Sequence, residues 1–283
     1  MSKKRKIISY ILSLALVISI SASVLLCVVN INLLNVSNMK KKLSENNYYE
    51  SVYNIITDAC DNYIMQSGFD STVLVDVFSK EDVETDVNGI IEYIYEGKEY
   101  NIQTEMLKIK LDQNIQNFIA QNNYIVSEEN QKSIDDFEET IRDTYKKNIE
   151  YSNETVKLIT KYVKIAKKAT GIIIVIMYVV VAVLAYIVYK VNRPSIGISM
   201  VSVGILCIFV NCYSGVNVAV NNILILSKPF SNVLTSTANN ILHTLFVIGI
   251  IFCIAGVGLI LRFELSKKIV KMSLIEEHSQ IIR

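Results

Sequence analysis

The sequence predicts an all-α integral membrane protein: four transmembrane helices, with an extracytoplasmic helical bundle inserted between the first and the second. Three observations predict it, namely uncharged runs of membrane length, an acidic and amphipathic middle, and basic margins. No residue is charged between Lys6 and Lys40, Lys168 and Lys190, Arg193 and Lys228, or Lys228 and Arg262. Each run reaches the roughly 20 residues a helix needs to cross a hydrocarbon core about 30 Å thick. Residues 40–168 hold 16 Lys+Arg against 24 Asp+Glu and the rest of the chain 12 against 3, so the net charge of +1 divides into an acidic middle and basic margins.

Basic residues beside spans favour the cytoplasmic side. Lys3, Lys4, Arg5 and Lys6 therefore place the N-terminus inside, Lys190 and Arg193 a short inner loop, and Arg262, Lys267, Lys268 and Lys271 an inner tail. The expectation is a multi-pass protein of the cell membrane with both termini cytoplasmic. Its parts are 1–36 (N-terminus and first span), 37–168 (extracytoplasmic helical domain), 169–262 (three further spans) and 263–283 (an amphipathic tail). Lys161, Lys164, Lys167 and Lys168 run against the charge rule, but they end a long translocated segment, where that rule is weak.

A basic start before an apolar run is also the pattern of a secretion signal. Here the run continues to Leu34, longer than a signal core, so an uncleaved anchor is expected. Bulky Leu26 before Cys27 opposes lipoprotein cleavage. Four of the five Cys lie in apolar runs and only Cys60 in the middle segment, which excludes a disulfide within that domain.

Between the first two spans, apolar residues recur at helical spacing. Met39, Leu43, Tyr49, Tyr53, Ile56, Cys60 and Tyr63 predict the first span continuing outward as one amphipathic helix, stopped at Gly68. Ser71 and Ser79 are candidate N-caps, the second before Val83, Val87, Ile90, Ile91 and Ile94. Thr104 precedes Leu107, Leu111, Ile115 and Phe118, and a turn is expected at Gln121–Asn123. From Ser127, the stripe Ile134, Phe137, Ile141, Tyr145, Ile149, Val156, Ile159 and Val163 predicts one long helix running into the second span. Two long helices with one apolar stripe each, covered by shorter ones, make an antiparallel bundle.

In the spans, Ala15, Ser19 and Ser23, and Gly249, Cys253 and Gly256, are small residues at helix-face spacing, which lets helices approach. Packing within the chain is the first reading and self-association into a homo-oligomer the second. Tyr10, Tyr186 and Tyr189 are expected at the inner interface. The uncharged stretch 194–227 is longer than one span and shorter than two, with a polar break at Asn211–Gly215. The third span is therefore expected to end near Asn211, and residues 215–238 to form an outer interfacial or partly re-entrant segment.

The chain carries no phosphate-binding glycine loop, no His-Glu-x-x-His and no Cys-x-x-Cys. Its two histidines, His243 and His278, fall on opposite sides of the bilayer by this topology, which removes a histidine triad or multi-histidine metal site. The acidic runs Glu81–Asp86 and Asp135–Asp143 lack the alternate spacing and turning glycine of an EF-hand and are expected to be solvated helix faces. No catalytic residue, cofactor, metal or nucleic-acid partner is expected.

The expected function is non-enzymatic: a multi-pass protein whose extracytoplasmic domain binds a partner protein or ligand, as a sensor or scaffold of a bacterial cell envelope. The alternative is a channel or transporter subunit whose polar segment contains Asn211, Asn217, Asn221, Asn222 and His243. The lipid bilayer is itself a partner, and Lys267, Lys268 and Lys271 are placed to meet anionic lipid.

Overall fold

The computed structural model describes residues 3–150, 153–214 and 228–281, and the described residues are helical without strands. In order they form α1 (Lys3–Leu33), α2 (Val36–Glu45), α3 (Tyr48–Ser67), a 3₁₀ turn (Ser71–Leu74), α4 (Lys80–Glu96), α5 (Thr104–Gln121), α6 (Glu128–Ile149), α7 (Asn153–Val191), α8 (Pro194–Ser214) and α9 (Lys228–Ile281). Among the described residues four stretches are long and apolar enough to cross a membrane: Lys6–Leu33, Val156–Val191, Pro194–Cys212 and Pro229–Ile269. The chain divides into two compact units. A bundle unit comprises Leu34–Lys167 with Val220–Ser236, and an apolar unit comprises Met1–Leu33, Lys168–Ala219 and Thr237–Arg283.

In the bundle unit, the polar residues between apolar stripes decide where helices start and stop. The single helix expected from the first span through Tyr63 is instead interrupted twice. The Asn35 side chain accepts a hydrogen bond from the Asn38 backbone N–H at 3.1 Å and so starts α2. Asn47 then takes a left-handed conformation, φ 52°, before α3. Asparagine offers the backbone an alternative to the helix ladder and tolerates positive φ, so two of them in a row, Asn46 and Asn47, end a helix that apolar periodicity alone would carry on. The long helix expected from Ser127 into the second span is also divided, since Glu150 turns extended (φ −86°, ψ 121°) and closes α6.

Two expected caps are displaced by one residue: Asp70, not Ser71, caps the 3₁₀ turn by accepting from the Thr72 N–H at 2.8 Å, and Gln103 rather than Thr104 precedes α5, with no side-chain cap. The remaining boundaries follow the sequence. Ser79 and Asp82 form a reciprocal capping box on α4, the Asp82 N–H donating to Ser79 Oγ at 3.1 Å and the Ser79 N–H to Asp82 Oδ2 at 2.8 Å. Ser127 Oγ caps α6 by accepting from the Asn130 N–H at 3.2 Å. Gly68 (φ 80°) and Gly97 (φ 74°) end α3 and α4 in the left-handed region where a Cβ is disfavoured.

Helix α3 packs on α4 and α6, α5 on α6 and the 3₁₀ turn, and α2 on α3 and α4. Their stripes meet in one core where Leu43, Ile56, Cys60, Val73, Val83, Leu111, Ile115 and Ile141 are fully or almost fully buried. Burial pushes the Cys60 thiol up to about 12, so it stays an inert packing group. Phe230, in the first turn of α9, sits edge-on to Tyr48 at 6.1 Å and belongs to this unit. Residues 228–238, expected in an interfacial segment, are the first turns of α9; residues 215–227 lie outside the described residues.

The apolar unit is held by close backbone approach. Around a Val17, Val28, Val203, Cys207 and Leu245 cluster, two glycines of α8 face two of α9 at matching seven-residue spacing. A Cβ on Gly204 would lie 2.6 Å from the Gly249 carbonyl oxygen, and one on Gly249 would lie 2.8 Å from that of Gly204. Gly197 and Gly256 are reciprocal in the same way, at 2.8 and 2.7 Å. A hairpin joins α7 to α8 through Asn192 and Arg193, with the Asn192 side chain donating to Ser195 Oγ at 2.7 Å and Pro194 in the first helical turn.

Candidate functional site

A buried carboxylate organises the bundle unit. Asp86 is only 3% exposed. It accepts hydrogen bonds from the Tyr100 hydroxyl at 2.6 Å, the Tyr145 hydroxyl at 2.6 Å and the Gln103 N–H at 3.4 Å, and so ties α4 to α6 and to the 97–103 connection. The ring of Tyr100 occupies the space where any side chain at residue 89 would begin, which is why Gly89 stands there. Burial first, and then the hydrogen bond and charge of Asp86, raise both phenols well above the ordinary tyrosine value. The small cleft beside Asp86, lined also by Asp82, Thr85, Gln103 and Lys110, holds about 40 Å³. That is room for water rather than for a substrate. With its oxygens engaged by two hydroxyls and an amide, Asp86 is a fastening between helices.

The acidic runs therefore differ from the solvated faces expected of them at one residue each. Asp86 and Glu138 (8% exposed) point inward while their neighbours in sequence stay outside. Burial, then the nearby carboxylate of Asp112, raises the Glu138 carboxyl above its ordinary value. The signal was in the spacing: Asp86 lies three residues after Val83 and four before Ile90, and Glu138 four after Ile134 and three before Ile141, so both occupy the apolar stripe.

At the end of the bundle where α3 stops and α5 turns into α6, the aromatic groups form a chain. Phe69 lies 5.5 Å from Phe118 and 5.0 Å from Phe137, and Phe118 lies 6.0 Å from Tyr124. Tyr124, which touches Phe118, is exposed, as are its neighbour Ile125 (92% exposed) and, in the last turns of α3, Met65 (81% exposed). Asp70, and Glu128, Glu129, Lys132, Asp135 and Asp136 in the first turns of α6, are exposed as well. An exposed apolar patch with a polar rim is the form of a protein-binding surface.

The polar side chains of the apolar unit pair across helices. Asn240 donates to Asn32 Oδ1 at 2.7 Å and Asn32 to the Val28 carbonyl at 2.9 Å, while Asn30 donates to Thr170 Oγ1 at 2.9 Å. Ser9 and Ser195 share a hydrogen bond at 3.2 Å, and Ser199 Oγ donates to the Ser13 carbonyl at 3.4 Å. The Asn32–Asn240, Asn30–Thr170, Ser9–Ser195 and Ser199–Ser13 pairs each join two helices, while the Asn32–Val28 bond lies within α1. Of the residues expected in a polar segment, Asn211 is half-buried near the end of α8 and His243 is exposed on α9. Asn217, Asn221 and Asn222 lie outside the described residues. Among the lipid-contact candidates, Lys267 and Lys268 are exposed on α9, and Lys267 pairs with Glu264 at 3.0 Å; the side chain of Lys271 is not among those described. Beside the α7–α8 hairpin, the Lys190 ammonium stands 5.6 Å over the Tyr186 ring and the Arg193 guanidinium 5.0 Å over Tyr189.

Among the described residues the chain is thus all-helical, with four helices long and apolar enough to cross a membrane. No protein-family model matches it, and neither a curated protein nor a solved structure is similar enough to count as a match.

Proposed function

We propose that this is a non-enzymatic multi-pass protein of the cell membrane whose bundle unit, on the extracytoplasmic side, docks another protein, with both termini cytoplasmic. The observation that carries the docking reading is the exposure of Tyr124 and Ile125 beside the Phe69–Phe118–Phe137 cluster. The acidic residues in the first turns of α6 match a partner with an apolar contact surface edged by Lys and Arg, and repel a second copy of themselves. Membrane insertion is supported by α7, whose large side chains Ile172, Val175, Ile176, Val179 and Val183 are all exposed, a surface compatible only with lipid or another apolar partner. The basic residues stacked on Tyr186 and Tyr189 fit the cytoplasmic margin of such a helix. Helices α7 and α9 each have residues in both units.

A photocrosslinking amino acid at Ile125 in intact cells tests this reading. The expected result is a discrete crosslinked protein that is lost in a Tyr124→Asp variant and never captured from Asp143 on the acidic face. If Ile125 and Asp143 capture the same mixture, the docking reading fails. Orientation is tested separately by single cysteines in a cysteine-free background. Cysteine at position 45 or 139 is expected to react with an impermeant thiol reagent on intact cells, and cysteine at position 278 only after lysis.

A further inference from the structure

Three lysines of α7 run against the charge pattern of the sequence and find no acid in the fold. Lys161, Lys164 and Lys168 are exposed, and none is ion-paired among the described residues. Elsewhere in the bundle unit Lys40, Lys80 and Lys98 pair with Glu92, Glu50 and Glu96. On α7 itself Lys167 is held, donating to the Tyr95 carbonyl at 3.2 Å with its ammonium 5.9 Å over that ring. The helix supplies no counter-charge, since the chain has no Asp or Glu between Glu154 and Glu264. At about 100° per residue, Lys161, Lys164 and Lys168 fall within about 60° of the helix circumference. Leu158, Tyr162 and Ile165, each more than half exposed, fill the adjoining sector.

Position along α7 decides what meets this face. The uncharged residues 169–189 span about 31 Å, the thickness of a hydrocarbon core, and each headgroup layer adds about 5–8 Å, or roughly three to five residues of helix. Lys164 and Lys168 fall within that layer, at the depth of the lipid phosphates. Helical side chains lean toward the N-terminus, which carries the Lys168 ammonium away from the hydrocarbon and toward the phosphates. Lys161, about 12 Å from the uncharged stretch, is within a Debye length of the same layer. Tyr162 suits an interface, and the exposed face continues from Ile165 into Ile172, Ile176 and Val179, so a lipid whose phosphate meets the lysines has apolar surface along which to lay its acyl chains. An acidic protein would reach Lys164 and Lys168 only by displacing headgroups.

We propose that Lys161, Lys164 and Lys168 form a binding site for the phosphate of an anionic phospholipid, in the leaflet that the N-terminal end of α7 enters. The inference rests on the reading that α7 crosses a membrane. The chain has no tryptophan, so Ile165→Trp in the full chain, reconstituted in phosphatidylcholine vesicles, sets a single fluorophore beside the site. Its quenching is compared between phosphatidylglycerol and phosphatidylcholine, each brominated on the upper part of one acyl chain and added at equal mole fraction. The relative association is expected to favour phosphatidylglycerol by about tenfold. In that background, Lys161→Gln, Lys164→Gln and Lys168→Gln together are expected to bring the ratio to about one. Lys108→Gln, Lys132→Gln and Lys147→Gln together, which remove as much charge from exposed lysines elsewhere, should leave it unchanged. Should the first triple variant not insert, Lys168→Gln alone is expected to lower the ratio. Equal association of the two lipids overturns the proposal and leaves the lysines to an acidic protein surface; a preference that survives the first triple variant overturns it as well. Ile176→Trp, inside the uncharged stretch, is the separate check: no quenching there by either lipid overturns the membrane reading instead.

Discussion

Where α3, α4, α5 and α6 meet, the most buried side chains include Ile56, Val83, Leu111, Ile115 and Ile141, and charged residues cover the outside; where α8 meets α9, glycines of the two helices face each other, and the large side chains Ile198, Ile205, Val247 and Ile254 point away. The bundle unit follows the pattern of a protein in water, which buries apolar area because water penalises its exposure. The apolar unit cannot gain in that way if its surroundings are as apolar as its side chains. What remains is close backbone contact, which glycine permits, and hydrogen bonds between polar side chains. The same change, one methyl group added or one polar group removed, is therefore expected to act differently in the two units.

The largest effect is expected at the glycine contacts. Gly204→Leu forces a side chain into the Gly249 carbonyl and Cys253, and separating the helices should cost about 3 kcal/mol or more. Loss of the monodisperse protein from membrane extracts and a lowered thermal midpoint are the readouts. Gly258, which has nothing within 4 Å of its missing Cβ, is the control: Gly258→Ala should leave both unchanged. If the two variants behave alike, the glycines are not what holds α8 to α9.

The next effect belongs to the buried carboxylate. Asp86→Leu leaves the hydroxyls of Tyr100 and Tyr145 without an acceptor and should destabilise the bundle unit by about 2–3 kcal/mol. Tyr145→Phe, which removes one donor and leaves Asp86 those of Tyr100 and Gln103, should cost about 1–2 kcal/mol. Hydrogen exchange on the full chain reads this locally. Protection should fall in α4 and α6 and stay unchanged in α8; a loss spread evenly over both units would mean that they do not unfold separately.

The smallest effect is at Glu138, and it has the opposite sign. Its carboxyl is raised above the ordinary 4.5 in the folded protein, so the folded state holds the proton more tightly than the unfolded chain does. Stability from this group is therefore full below the unfolded value and is lost as pH rises through the folded one. At neutral pH, Glu138→Gln should raise stability slightly, because the amide needs no charge where burial disfavours one. Its advantage over the native chain should vanish at about pH 4. Thermal midpoints of the two proteins across that range measure it, and an advantage that persists at low pH would assign it to packing rather than charge.

The sequence by itself determined the helical class, the four long apolar stretches and most helix ends, because these depend on run length, 3.6-residue periodicity and local caps such as Ser79, Gly97 and Ser127. It also showed Gly249, Cys253 and Gly256 as a small-residue face, though not that Gly197 and Gly204 stand opposite. Only the tertiary structure decided that Asn35 and Asn47 interrupt the helix after the first apolar run, since an apolar stripe carries the same period across a break as through a continuous turn. It alone separated Asp86 and Glu138 from the acidic runs that contain them, and brought Tyr124 and Ile125 to the bundle's uncovered end. The physical reason is common to all of these: periodicity records which residues share a helix face, while the burial of that face is set by residues far away in the chain that come to lie against it.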